Sequence, residues 1–346
     1  MAEKLLELEK LAVSFATPEG EVEAVRGVDL AVEEGEILCL VGESGCGKTV
    51  TCHAVMHLLP SNGFIKEGTI KLCGQDITHY GEREMRALRG GTMSMIFQDP
   101  LGTLNPTMPI GQQIMEVLFK HQQMTRQETK QRALEMLSMV GIEEPEARFD
   151  LQPHFFSGGM RQRCVIAAAL AANPRLLFAD EATTALDVTV KARILDLLLE
   201  IRRQTNIAIV FVTHDLGSVA RIADRVAVMY AGKIVEVGTA EEIFYEPRHP
   251  YTWALLSSLP QPAERDTKLY SITGTPPSLY NKITGDAFAP RNPYCLKIDT
   301  IAEPPMFKVT DTHYAKTWLL DPRAPKIEKP EIIQNIHEKL IKSLHI

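Results

Sequence analysis

An eight-residue segment, Gly42 to Thr49, constrains the fold of this chain more than any other feature of its sequence. It reads Gly-Glu-Ser-Gly-Cys-Gly-Lys-Thr and fits the phosphate-binding loop pattern G-x-x-x-x-G-K-[ST]. The apolar run before it, residues 36–41, predicts a short buried strand, and a helix is expected to follow the loop. A strand, a phosphate-binding loop and a helix in this order favour an α/β fold that binds a nucleoside triphosphate.

The residue types at the fixed positions of this loop have physical roles. Gly42 opens a tight turn where a side chain would block the backbone, and inward-pointing amide N–H groups bind phosphate oxygens, assisted by the positive end of the following helix. Lys48 is expected to reach the β- and γ-phosphates, and Thr49 to hold Mg²⁺ through its hydroxyl. Cys46 is interpreted as a small filler, although a helix start tends to lower a thiol pKa. The expected nucleotide-binding residues here are Gly42, Ser44, Gly45, Cys46, Gly47, Lys48, Thr49 and Val50.

A pair of acidic residues marks a second site of chemistry. Residues 176–179 predict another buried strand, which ends in Asp180 and Glu181. Carboxylates at the end of an apolar run are costly unless they are used. Asp180 is suited to bind Mg²⁺ through water, and Glu181 to polarise the attacking water as a general base. The alternative, two solvated acids at a strand tip, is disfavoured once the phosphate loop is accepted.

A third segment identifies the family. Ser157, Gly158 and Gly159 precede a helix predicted from about Met160, and this combination forms an anion site. With the loop and the acidic pair, in this order and spacing, the chain resembles the nucleotide-binding subunit of an ABC transporter, in particular the ATPase subunits of oligopeptide importers. Phe156 stands where the family consensus has Leu, and this variant is typical of peptide importer subunits.

The resemblance implies a fold and a mechanism. The fold class is α/β, a P-loop NTPase of ABC type with a RecA-like core, an antiparallel β subdomain and a helical subdomain, plus a C-terminal extension. The cofactors are ATP and Mg²⁺. Each ATP is clamped between the phosphate loop of one subunit and the Ser157-Gly158-Gly159 segment of a second subunit, and its hydrolysis powers import.

The resemblance also assigns roles to single residues. Gln98 matches the glutamine that senses Mg²⁺ and the attacking water, so the metal set is Thr49, Gln98 and Asp180. His214 follows a predicted strand over residues 207–212 and matches the histidine that contacts the γ-phosphate, which completes a catalytic set of Glu181, His214 and Gln98. Asp187 matches the family's D-loop, residues 185–187, at the dimer seam. Phe15 is the best candidate to stack on adenine, and a plain strand-end aromatic is its alternative.

Composition changes along the chain predict two parts. The resemblance places an ABC ATPase domain at residues 1–245, with the helical subdomain at about 100–165, and an oligopeptide-importer-type extension at 246–346. In many relatives this extension carries cysteines that ligate an iron–sulfur cluster. Here Asn292, Asp299 and Thr317 occupy matching positions and Cys295 is displaced, so no cluster is expected. Packing is expected to rest on Tyr251, Trp253, Leu255, Leu256 and Trp318.

The net charge and the hydropathy of the chain limit the classes of partner that it is expected to have. A formal net charge of −7 argues against a nucleic-acid partner, and the chain has neither a signal-peptide core nor an 18-residue apolar run. We expect a peripheral subunit at the cytoplasmic face of the cell membrane. Its implied partners are a second ABC ATPase subunit, expected to be a paralogue, two transmembrane permease subunits and an extracellular peptide-binding protein. A nucleic-acid-directed ABC ATPase and a non-enzymatic regulatory module are the disfavoured alternatives, and the transported substrate stays open.

Overall fold

The computed structural model of the protein describes residues 4–183, 187–258, 272–330 and 333, without the side chains of residues 100 and 101. Its strands form two sheets, of four and eight strands. The strands are β1 Lys4–Thr17, β2 Gly20–Glu33, β3 Ile37–Val41, β4 Gly63–Leu72, β5 Gln75–Asp76, β6 Met93–Ile96, β7 Leu176–Asp180, β8 Ala208–Thr213, β9 Arg225–Tyr230, β10 Lys233–Thr239, β11 Phe307–Lys308 and β12 Tyr314–Ala315.

Helices connect these strands and cover the larger sheet. They are α1 Lys48–Val55, α2 Glu82–Leu88, α3 Pro100–Thr103, α4 Ile110–His121, α5 Arg126–Met139, α6 Pro145–Arg148, α7 Gly158–Leu170, α8 Val188–Thr205, α9 Leu216–Ile222, α10 Ala240–Tyr245 and α11 Pro250–Ser257. Across the described ranges, every helix is too short or too polar to cross a lipid bilayer.

The smaller sheet is antiparallel, in the order β2-β1-β4-β5. Its long strands β1 and β2 pair along most of their length. Both strands bury apolar residues, such as Leu11, Val13 and Val25, in a shared core. That core also contains Cys52 and Val55 of α1, the helix that follows the phosphate loop. The antiparallel sheet therefore supports the loop from the side of its helix.

The larger sheet has the order β11-β12-β10-β9-β3-β8-β7-β6. Its five strands from β9 to β6 run parallel, and β3, β7 and β8 are buried at every position. Continuous apolar runs are expected for parallel strands covered on both faces. The predicted strands at 36–41, 176–179 and 207–212 are thus confirmed within a residue or two. Because parallel strands end at one edge, the segments after β3, β6, β7 and β8 come together there.

The predicted helical region contains α3 to α7. Thr125 caps α5 through a capping box in which its side chain accepts from the Glu128 N–H, as the sequence predicts. The predicted apolar stripe of α5 is also confirmed, since Ala133, Leu137 and Val140 are fully buried against α4 and α7. The stripe fixes these helices to one another beside strand β6.

The C-terminal region joins the core sheet. Ala315 of β12 pairs with Glu236 of β10, and β11 pairs with β12, so this region extends the larger sheet by antiparallel pairing at its β10 edge. Tyr251, Trp253 and Leu256 of α11 are buried, as expected of packing anchors. Trp318 is half-buried and donates from Nε1 to the Ala302 carbonyl at 2.9 Å. Strand pairing and ordinary packing therefore attach the region to the larger sheet.

Candidate functional site

The phosphate loop follows β3 directly and is held by close backbone contacts. A Cβ on Gly42 would lie 2.1 Å from the Met229 carbonyl oxygen, and one on Gly47 would lie 2.6 Å from the Ala24 carbonyl oxygen. Both residues also have a positive φ, of 152° and 110°. Only glycine fits at these two positions, because any side chain would overlap the neighbouring main chain.

The loop folds around Lys48, whose side chain is almost completely buried. Its Nζ donates to the carbonyl oxygens of Gly42 and Glu43, both at 2.9 Å. Ser44, Gly45 and Thr49 are exposed at the rim of the loop, while Val50 is half-buried in the first turn of α1. Lys48 therefore provides a positive charge inside a ring of main-chain groups, which suits an anion with several oxygens.

Cys46 lies inside the loop and is 5% exposed. Burial raises the pKa of its thiol, and this effect outweighs the opposing influence of Lys48. The tendency of a helix start to lower a thiol pKa is therefore overridden here, because desolvation penalises the thiolate more than the neighbouring charge favours it. The interpretation of Cys46 as a packing residue fits this environment.

Thr49 and Asp180 meet across the sheet edge. The Thr49 hydroxyl donates to Asp180 Oδ1 at 2.9 Å. Asp180 closes β7 and is 4% exposed, so burial raises the pKa of its carboxyl, with the Thr49 hydroxyl acting in the opposite direction. A buried carboxylate beside a hydroxyl is a pair of hard oxygen donors, which is the chemistry that Mg²⁺ prefers.

Glu181 is the centre of a polar cluster. Its Oε2 accepts from Gln98 Nε2 at 2.9 Å, and its Oε1 lies 3.4 Å from His214 Nδ1. Its N–H donates to the Val212 carbonyl at 3.0 Å. Its backbone has a φ of 47°, which lies in the left-handed region. A non-glycine residue holds this conformation only where its surroundings enforce it, and such residues concentrate at functional sites. The segments after β6, β7 and β8 thus bring all three expected catalytic residues together.

The segment of Ser157 forms the start of α7. The Ser157 hydroxyl oxygen accepts from the Met160 N–H at 3.3 Å, so Ser157 caps the helix, and Gly158 beside it is exposed. A Cβ on Gly159 would lie 2.8 Å from the side chain of Val190. The helix start therefore presents a small, exposed surface next to the first turn of α8.

The other expected binding residues lie on separate elements. Asp187 is exposed and caps α8, accepting from the Val190 N–H at 2.9 Å. The two residues before it in the expected D-loop, 185 and 186, lie outside the described part of the chain. Phe15 is half-buried near the end of β1 and packs beside Gly63 at the start of β4. Its role in stacking on adenine stays a prediction.

Two residues of the C-terminal region contact the loop in a way that the sequence did not predict. Tyr251 and Arg291 of the C-terminal region both contact Glu43, the second residue of the loop. They follow Glu43 by 208 and 248 positions. Glu43 occupies a variable position of the loop pattern, so the motif itself does not point to this contact.

Two family models match the chain. The model described as ABC transporter matches residues 25–184, and the model described as oligopeptide/dipeptide transporter, C-terminal region, matches residues 235–298. The first match covers the loop, the Ser157 segment and the acidic pair. The second covers most of strand β10, helix α11 and Arg291.

Curated relatives align over almost the whole chain. It is 56% identical to the oligopeptide transport ATP-binding protein OppD of Bacillus subtilis, with 97% of this chain and 95% of the relative covered. It is 53% identical to the dipeptide transport ATP-binding protein DppD of Lactococcus lactis, with 94% and 93% covered.

Solved structures share the cassette fold. A dimeric ABC cassette bound to ADP and Pi superposes with a TM-score of 0.61 at 28% identity, covering 68% of this chain and 98% of that one. The cbiO1 cassette from Clostridium perfringens gives a TM-score of 0.61 at 26% identity, covering 70% and 92%. The α/β P-loop cassette, the paired motifs and the aligned relatives lead to one conclusion: the chain belongs to the ABC transporter ATPases, in the family of oligopeptide and dipeptide transport ATP-binding proteins.

Proposed function

We propose that this chain is the ATP-hydrolysing subunit that powers import of oligopeptides, peripheral to the cytoplasmic face of the cell membrane. The observation that carries the proposal is the meeting of Thr49 and Asp180, and of Gln98, Glu181 and His214, at one sheet edge of a chain that aligns over 97% of its length with a peptide transport ATP-binding protein. The cluster supports hydrolysis, and the aligned relatives support peptides as the cargo.

The residues fit Mg²⁺ and the triphosphate of ATP. Thr49 and Asp180 offer oxygen atoms that already lie 2.9 Å apart, and Gln98 offers an amide oxygen nearby. Mg²⁺ would neutralise charge on the phosphates during transfer. The loop amides and Lys48 hold the phosphates, and Phe15 stacks on the base. Gly42, Ser44, Gly45, Cys46, Gly47 and Val50 complete the loop's contribution.

Glu181 acts as the general base in this proposal. Its carboxylate is oriented on one side by Gln98 and on the other by His214, so it can accept a proton from a water placed before it. His214 is mostly exposed, which leaves its ring able to contact the γ-phosphate.

A second subunit completes the site. Ser157, Gly158 and Gly159 present the start of α7 to an ATP held by another chain, and Asp187 lies at the seam. The related cassettes of known structure are dimeric, one of them with ADP and Pi bound. For this chain we propose a paralogous ATPase subunit, two transmembrane permease subunits and an extracellular peptide-binding protein as partners.

Reconstitution tests the proposal. The chain is co-purified with its membrane subunits, placed in proteoliposomes, and supplied with the binding protein and a labelled oligopeptide. Uptake should require MgATP and should disappear with Lys48→Met, while exposed Glu241→Gln should leave it unchanged. ATP-dependent uptake of a different cargo, with peptide excluded, would overturn the assignment of the cargo and leave the ATPase intact.

A further inference from the structure

The C-terminal region contacts the phosphate loop at Glu43. The N–H of Glu43 donates to the Tyr251 hydroxyl at 2.9 Å, and its carbonyl accepts from Lys48 Nζ at 2.9 Å. Its carboxylate receives both terminal nitrogens of Arg291, at 2.7 and 2.9 Å. The main chain and side chain of this one loop residue are thus fixed at the same time, and three of the four hydrogen bonds involve the C-terminal region.

Arg291 is itself held rigidly. Its side chain is 4% exposed, its Nε donates to the Thr273 carbonyl at 3.0 Å, and its Nη1 donates to the Tyr230 hydroxyl at 3.2 Å. The Arg291 guanidinium also lies 5.8 Å from the centroid of the Tyr230 ring, which packs with the rings of Tyr251 and Phe288 at centroid distances of 4.5 to 5.4 Å. A two-pronged contact from a buried arginine fixes both the position and the direction of the carboxylate.

The charge of Glu43 makes this contact relevant to nucleotide binding. Glu43 lies within a loop whose purpose is to bind a polyanion, and a carboxylate there repels phosphate. Its side chain is only 26% exposed, so water screens the repulsion incompletely. Arg291 neutralises this charge and holds the carboxylate against the C-terminal region.

We propose that Arg291 is a positioning residue for ATP binding, which acts through Glu43 by neutralising its carboxylate and fixing the first turn of the phosphate loop. The C-terminal region thereby contributes directly to the nucleotide affinity of the ATPase core. The inference rests on the loop's role as the ATP site, and it is independent of which cargo is transported.

The test compares Arg291→Met, Glu43→Gln and the double variant in the full chain. Affinity is measured with a fluorescent N-methylanthraniloyl ATP and Mg²⁺, alongside thermal unfolding without nucleotide. Arg291→Met should weaken binding about three- to tenfold, because the carboxylate is left uncompensated. Glu43→Gln should restore the double variant to within about twofold of the parent, and raising salt should shrink the Arg291→Met defect. Arg323→Met, which removes an exposed arginine–aspartate pair of the same region, is the matched control.

Each outcome either supports or refutes the role proposed for Arg291. An equal loss in Arg291→Met and the double variant would show that Arg291 acts by packing alone, and unchanged affinity in Arg291→Met would overturn the inference outright. Should Arg291→Met fail to fold, Arg291→Gln carries the same expectations. A parent chain that binds no nucleotide would refute the loop assignment, which is distinguishable from a defect confined to the variants.

Discussion

Replacement of Glu181 by glutamine isolates the chemical step. Glutamine has the shape of glutamate, with one acceptor and one donor in place of two acceptors. Its carbonyl can keep the bond from Gln98, and its amide can donate to His214 Nδ1 when that nitrogen is unprotonated. The neighbouring contacts therefore survive, and the substitution removes mainly the basicity of the side chain.

The expected magnitude follows from that loss. Removal of a general base slows the chemical step by about 10²–10⁴-fold, which corresponds to about 3–5 kcal/mol of activation free energy. Nucleotide binding should persist, since the loop and the Thr49–Asp180 pair are unaltered. At an ATP concentration one hundred times Kd, binding stabilises the fold by about 2.7 kcal/mol. For a chain of 346 residues this raises Tm by about 4 °C.

The assay measures both quantities. ATP turnover is followed in the assembled transporter with the second ATPase subunit inactivated, so that only the site containing Glu181 hydrolyses. Thermal unfolding of the isolated chain is recorded with and without MgATP. Glu241→Gln, an exposed carboxylate on α10, should behave like the parent in both measurements. Turnover within a factor of three of the parent would exclude Glu181 as the general base.

Three further predictions use other parts of the molecule. Ser157→Arg should abolish the clamp on its partner's ATP while the chain still binds ATP at its own Lys48, and photo-crosslinking of nucleotide to each subunit separately checks this; loss at its own site instead would sink the assignment in trans. The pKa of Asp180 is raised by burial, so ionisation of its carboxyl at neutral pH destabilises the folded state. Asp180→Asn should therefore raise the Tm slightly without ligand and should lose the increase in Tm that MgATP gives. Thermal unfolding with and without MgATP measures both effects. An anaerobically purified chain should show neither stoichiometric iron nor broad absorbance near ~400 nm, and finding both, with loss on Cys295→Ser, would contradict the prediction.

Local patterns were sufficient for the elements that build the site. The loop motif supplies glycine at positions with a positive φ, and the apolar runs at 36–41, 176–179 and 207–212 are of a length that favours buried strands. The helical stripe of α5 and its cap at Thr125 were equally readable. These features depend on residues close together in sequence, so a short window contains their physical cause.

The meeting of Gln98, Glu181 and His214 required more than local pattern. Each of these residues follows a different strand, and the local sequence does not reveal that β6, β7 and β8 are neighbours in the sheet. The family resemblance supplied that arrangement as an expectation. The structure adds what the resemblance did not include, namely the left-handed backbone of Glu181 and the distances within the cluster.

The sequence by itself determined the phosphate loop, the acidic pair, the Ser157 helix start and the family to which they belong, because each is a short segment with its own geometry. Only the tertiary structure decided the environment of these segments. It buries Cys46 so that its thiol pKa rises, and it brings Arg291 to Glu43 across 248 positions of chain. Desolvation and long-range ion pairing depend on what packs against a residue, and that is a property of the whole fold.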